Sequence, residues 1–197
     1  MAYDGYHNCI EQLSQLKRKS IMTDTVASND IASTIGRNVS LDRLSEHTHL
    51  AHLDNADQIR SAFPVMQQLR PHLNDADDLL ERVQRMQQNA SYRILAVLDS
   101  TNVIALAGYR LQENLIYGPF LYVDDLVTLD TERGQRCGAR LLSALQDIAR
   151  DAKCTRLVLD TGIGNSLAQR FYFRQGLLGH GMHFSMPLIE KSASTTE

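Results

Sequence analysis

The stretch Tyr122-Val-Asp-Asp-Leu-Val-Thr-Leu-Asp-Thr-Glu-Arg133-Gly-Gln-Arg-Cys-Gly138-Ala-Arg-Leu-Leu142 decides how this chain is read. It opens as a strand, passes through a turn holding two arginines and two glycines, and closes on Leu141 and Leu142, which start a helical face with Leu145 and Ile148. A helix start leaves backbone N–H groups unpaired. The aligned peptide dipoles add about half a positive charge there. Glycines let a phosphate approach the backbone closely. The segment therefore reads either as an anion site suited to a pyrophosphate or as a purely structural turn. It is not a P-loop, because Arg133–Arg140 lacks the Lys-Ser/Thr end. It is not a dinucleotide fingerprint either, because it follows several other elements and its glycines are spaced differently.

Working outward, Tyr92–Leu98 and Val103–Arg110 are apolar runs joined by the turn signal Asp99-Ser-Thr-Asn102, a hairpin. Gly118-Pro119 breaks the chain before a third strand, Phe120–Leu129. Towards the N-terminus, His49–Leu53 reads as a short strand. Ile59, Phe63, Met66 and Leu69 follow at helical spacing, with Pro64 marking a kink or a fresh helix start. Asp75–Asn89 is a helix that Asn74 or Asp75 can cap. Towards the C-terminus, Arg156–Asp160 is a buried-type strand. Asn165–Gln175 is a helix closed by Gly176, and His183–Leu188 is a last strand. The order β-α-α-β-β-β-α-β-α-β predicts an α/β (α+β) single domain with a mixed, mostly antiparallel sheet over 47–190. Residues 1–46 read as a polar extension with a short amphipathic helix near 8–20, and 191–197 as a polar tail.

The 197 residues are 43% hydrophobic and 22% charged, with a net charge of −3. That composition supports a packed core and argues against a broad basic grip on nucleic acid. No apolar run approaches the roughly 18 residues of a membrane helix. No secretory signal is visible, and three scattered cysteines make no disulfide framework, so a reducing cytoplasm is expected. His47, His49 and His52 lack accompanying cysteines or carboxylates, so no metal is expected.

Arg133-Gly-x-x-x-Gly138 followed by Leu141-Leu142 resembles motif A of the GNAT superfamily of acyl-CoA-dependent N-acetyltransferases. Asn165-Ser-Leu-Ala168-Gln-Arg-Phe171-Tyr172-Phe-Arg174-Gln-Gly176-Leu resembles its motif B. Starting motif A at Arg133 puts Arg136 where a glycine is usual. Starting it at Gln135 puts Arg140 at a small-residue position. The first alignment keeps Leu141-Leu142 in helical register. Arg136 either adds a cation to a pyrophosphate or crowds the cradle.

The resemblance implies a sheet splayed at the cofactor site, and acetyl-CoA as acyl donor. Leu126, Val127 and Thr128 would bind the pantetheine arm through their backbone. Arg133, Gly134, Gln135, Arg136, Cys137, Gly138 and Ala139 would hold the pyrophosphate, with Asn165 near the arm or simply capping its helix. Tyr172 would protonate the leaving thiolate, or else pack with Phe171 in the core. Asp124 is the candidate general base, or alternatively a cation site or a plain ion pair. The helix dipole is expected to lower the pKa of Cys137. The implied activity is direct acetyl transfer to a primary amine on a small molecule or peptide, with a homodimer as the assembly common among relatives. The alternative is a catalytically degenerate domain that binds acyl-CoA or a protein.

Overall fold

The structure is a computed structural model that describes residues 48–188. The expected N-terminal extension and helix near 8–20, and the polar tail 191–197, lie outside the described residues.

The elements are β1 (Thr48–His52), α1 (Ala56–Ser61), α2 (Phe63–Leu69), α3 (Ala76–Ala90), β2 (Arg93–Asp99), β3 (Asn102–Asn114), β4 (Gly118–Thr128), a 3₁₀ turn (Asp130–Glu132), α4 (Cys137–Asp151), β5 (Arg156–Leu159) and α5 (Ser166–Arg174). They build one mixed sheet in the order β1-β2-β3-β4-β5, antiparallel except for the parallel pair β4–β5. The α/β fold class expected from the sequence is the one observed.

Local chemistry sets the boundaries. Asn55 caps α1 in a capping box with Gln58. Pro64 begins α2 as a fresh helix rather than kinking one, since its missing N–H is not needed in a first turn. The Asp75 carboxylate accepts from the amides of Asp77 and Asp78 and starts α3. After α5, Gly176 takes φ +83°, and the amides of Gly176 and Leu177 donate back to Phe173 and Tyr172, a Schellman closure.

The sheet buries both faces. Ile94, Ala96, Leu106 and Val127 pack under α1–α3 with Ile59, Val65, Leu79 and Val83. Leu95, Val97, Ala105, Ala107, Leu121 and Val123 pack under Leu141, Leu145 and Ala149 of α4. Neighbouring strand residues fall in opposite clusters, as the two-residue strand period requires.

Three points differ from the sequence reading, and the first is that β3 runs on to Asn114 instead of ending at Arg110. Gly118 and Pro119 belong to β4 rather than preceding it, because a proline is tolerated at the start of a strand. His183–Leu188 forms no strand, and residues 177–188 hold no helix or strand. Strand composition alone does not make a strand; a ladder partner is required, and this segment has none within the described chain.

Candidate active site at the fork between β4 and β5

The two parallel strands run together only from Phe120↔Arg156 to Val123↔Leu159. Beyond that point β4 continues for five residues while β5 ends, so the sheet forks. Asp124 is the extra residue of a β-bulge on β4: Val123 pairs with Tyr109 and Asp125 with Gly108. A bulge bends a strand and re-aims its groups. The Leu129 amide donates to Ile104 of β3 at 2.9 Å. Counting back by twos, the N–H and C=O groups of Leu126 and Thr128 point away from β3, into the fork. Val127 is buried against the α1–α3 face, and Leu126 is half-buried beside α4.

The bulge sends the two adjacent carboxylates to different partners. Asp125 is buried, accepts from the Tyr92 hydroxyl at 2.7 Å and from Arg70 Nε at 2.8 Å, and knits α2 to the sheet. Burial, then the Asp125 charge, push the Tyr92 phenol well above its ordinary pKa. Asp124 is clasped by Arg110, whose Nε donates at 2.8 Å while a second nitrogen reaches the other oxygen, and its backbone carbonyl accepts from Arg70 at 3.0 Å.

Opposite Asp124, one step past the last β4–β5 pair, lies Asp160. Its carboxylate receives the Tyr122 hydroxyl and contacts Nδ1 of His183 at 3.0 Å. Burial and this carboxylate together push the Tyr122 phenol up to about 12. Two carboxylates thus flank the mouth of the fork. Motif reading reached Asp124 and missed Asp160, which carried no motif; its place at the end of a short apolar strand was the available signal.

Below the fork lies the glycine-bearing loop. Gly134 has φ +84°, and Arg136, the residue standing where the resemblance implies glycine, has φ 60° and ψ 13°. The left-handed conformation that favours glycine is therefore kept, with a penalty of about 1 kcal/mol for a side chain. Arg133 pairs with Asp130 at 2.7 Å, and the Gln135 side chain donates to Glu132 at 2.6 Å. Helices α1, α3 and α5 are each capped by a side chain, whereas α2 and α4 have neither a side-chain cap nor an acid in the first turn. The amides at Gly138 and Ala139 are thus left facing the loop.

Gly138 has a packing role as well: a Cβ there would meet the Phe171 ring at 3.2 Å. Cys137 is buried, and burial followed by the Glu132 charge raises its pKa. This overturns the expected lowering, because desolvation of a thiolate outweighs the dipole.

On α5, the Asn165 side chain accepts from the Ala168 amide at 3.1 Å and caps the helix. The Tyr172 ring lies against that of Phe171, with centroids 5.4 Å apart. Burial alone raises its phenol pKa. Among the described residues, no group of three His, Cys, Asp or Glu side chains is arranged to hold a metal, and no helix is long and apolar enough to cross a membrane.

Residues 57–177 match the model of the Acetyltransferase (GNAT) family. An uncharacterized N-acetyltransferase of Bacillus subtilis, YhdJ, is 31% identical over 124 residues, which span 63% of this chain and 87% of that protein. An aminoalkylphosphonate N-acetyltransferase of Salmonella typhimurium is 30% identical over 101 residues, 51% of this chain and 64% of that one. Among solved structures, the aminoglycoside N-acetyltransferase AAC(6')-Iy in complex with CoA superposes with a TM-score of 0.64 at 15% identity, covering 73% of this chain and 96% of that one. The last likeness is one of fold.

Proposed function

Since the chain belongs to the GNAT family of acetyltransferases, we propose that it moves an acetyl group from acetyl-CoA to a primary amine by direct attack. The observation that supports this reading is that β4 runs on past the end of its pairing with β5 and leads, through the glycine-bearing loop, into the start of α4, which has no side-chain cap. Acetyl-CoA supplies a thioester; the residues of this chain bind, orient and handle protons. The amides at the start of α4, with Arg133 and Arg136 nearby, suit a pyrophosphate. The outward-facing backbone of Leu126 and Thr128 suits the amide-bearing pantetheine arm, and an N–H there can polarise the acyl carbonyl. Asn165 borders the arm.

As the amine nitrogen bonds to the carbonyl carbon, the C–S bond breaks and the sulfur leaves as a thiolate. Tyr172 gives its phenolic proton to that sulfur. Asp124, oriented by Arg110, receives the amine's surplus proton through water. The facing Asp160 adds negative charge, which favours an acceptor that is cationic before it is deprotonated. A cationic amine is also the acceptor for which a −3 chain needs no basic surface. The degenerate alternative rests on Arg136. Its retained left-handed backbone supports the catalytic reading instead.

One substitution separates a ligand site from a structural turn. Ala139→Glu places an acid in the first turn of α4, where the dipole favours it by about 0.3–1 kcal/mol. Thermal unfolding is expected to hold steady or rise slightly. The acetyl-CoA KM, read by thiol release over a panel of primary amines, is expected to rise about tenfold or more. Unchanged KM would return the loop to a purely structural role.

A further inference from the structure

An amine that arrives as an ammonium sheds two protons, one before its nitrogen can attack and one as the amide forms. Asp124 accounts for one of them, and both of its oxygens are already bonded by Arg110. A second proton acceptor stands across the mouth of the fork. Leu121, Val123, Leu157 and Leu159 pack in the α4 cluster, so Tyr122 and Asp160, at the alternate positions, face the other side of the sheet. There the Tyr122 hydroxyl donates to Asp160 Oδ2, and His183 Nδ1 meets the same oxygen at 3.0 Å. That contact anchors the irregular segment 177–188 at the fork.

An ionised carboxylate only accepts hydrogen bonds. The neutral His183 ring facing Asp160 therefore carries its proton on Nδ1 and keeps a lone pair on Nε2, a nitrogen that no described group bonds. The side chains of His183 and Asp160 are 66% and 46% exposed, so the ring has direct access to water. Among the described residues, the charged and titratable groups behind this pair are Tyr122, Asp124 and Arg110, with His180 on the same segment. Arg110 lies 5.6 Å from the Tyr122 ring and is paired with Asp124. Tyr122, its phenol pushed up to about 12, is uncharged near neutrality. The unbalanced charge at the mouth is that of Asp160.

We propose that His183, held by Asp160, takes the first proton. Nε2 accepts it from the ammonium, the N–H bond breaks, and the amine nitrogen keeps the electron pair with which it attacks. The imidazolium then passes the proton to water. An imidazole, with an ordinary pKa of about 6.5, both takes and releases a proton near neutrality. The need is real, since an alkylamine with the ordinary lysine pKa is only about 0.04% neutral at pH 7. Asp160 is a positioning residue: it fixes the tautomer and stabilises the imidazolium, as a carboxylate does behind a catalytic histidine. This step rests on the acetyl-transfer reading and leaves Asp124 the second proton.

The test measures kcat/KM by thiol release, with an alkylamine that the wild type acetylates, for wild type and His183→Gln from about pH 6.5 to 9.5. Glutamine can still donate to Asp160 but takes no proton, and at so exposed a position the variant keeps its fold. A loss of about 10²-fold is expected at pH 7, shrinking as the pH nears the amine's pKa and solution itself supplies the neutral amine. A second readout needs no activity: nitrogen-15 spectra of the neutral His183 ring should place the proton on Nδ1, and on Nε2 in Asp160→Asn, whose amide can donate to the ring. A loss within twofold, a loss equal at every pH, or a wild-type ring protonated on Nε2 would each overturn the proposal. An unaffected His183→Gln beside an active wild type would remove this step and leave the acetyl-transfer reading standing. A wild type that releases no thiol with any amine would remove both.

Discussion

Tyr172→Phe is expected to lower kcat about 10²-fold with any amine the wild-type protein acetylates, leaving the acetyl-CoA KM nearly unchanged. Phenylalanine keeps the ring contact with Phe171 and removes only the hydroxyl. Burial raises the phenol's pKa, so the group is protonated at neutral pH and able to donate; a positioned general acid contributes about 10²–10⁴-fold. The alkaline limb of the kcat profile should flatten in the variant, because the acid whose loss produced it is gone. If Tyr172 serves packing alone, kcat will stay within about twofold and the pH profile will not move.

Gly108→Ala is expected to destabilise the domain by about 3 kcal/mol, the upper part of the range for overpacked cores. A Cβ at this position would lie 1.9 Å from the Tyr92 hydroxyl oxygen, 2.5 Å from Tyr92 Cζ and 2.7 Å from Asp125 Oδ2. Tyr92 and Asp125 are both buried, so the ring has no space to yield. Moving it would separate the hydroxyl from the carboxylate it serves and leave Arg70 as that carboxylate's remaining partner. Leaving a buried polar group unsatisfied adds its own cost. Gly162→Ala, with open space around it and no positive φ, is the control expected to be neutral within about 0.5 kcal/mol. Urea unfolding of the three proteins measures the difference. A Gly108→Ala cost below about 1 kcal/mol would mean that the Tyr92–Asp125–Arg70 network is not packed as described.

The sequence was most legible where one local rule governed. The apolar period over Leu141–Leu145, the cap at Asp75 and the closing glycine at 176 each depend on a few consecutive residues, and each element stands where that rule puts it. Pairings distant along the chain were not legible. Asp124 and Asp125 look alike in sequence, but the bulge gives one to Arg110 and buries the other under Tyr92, 33 residues away. Tyr122–Asp160 spans 38 residues and joins two strands whose parallel pairing no local signal encodes. Cys137 misled because dipole and burial act on a thiol with opposite signs, and only the packing shows which is larger. The final strand misled for the converse reason: its composition is that of a strand, but among the described residues no strand pairs with it.

The central claim is that the fork and the start of α4 form one acetyl-CoA site, and calorimetric titration of the purified protein with acetyl-CoA, against free adenosine diphosphate, tests it most directly. Low-micromolar, one-to-one binding of acetyl-CoA is predicted, with adenosine diphosphate much weaker because it lacks the pantetheine arm that β4 would engage. An absence of binding at millimolar acetyl-CoA would contradict the account.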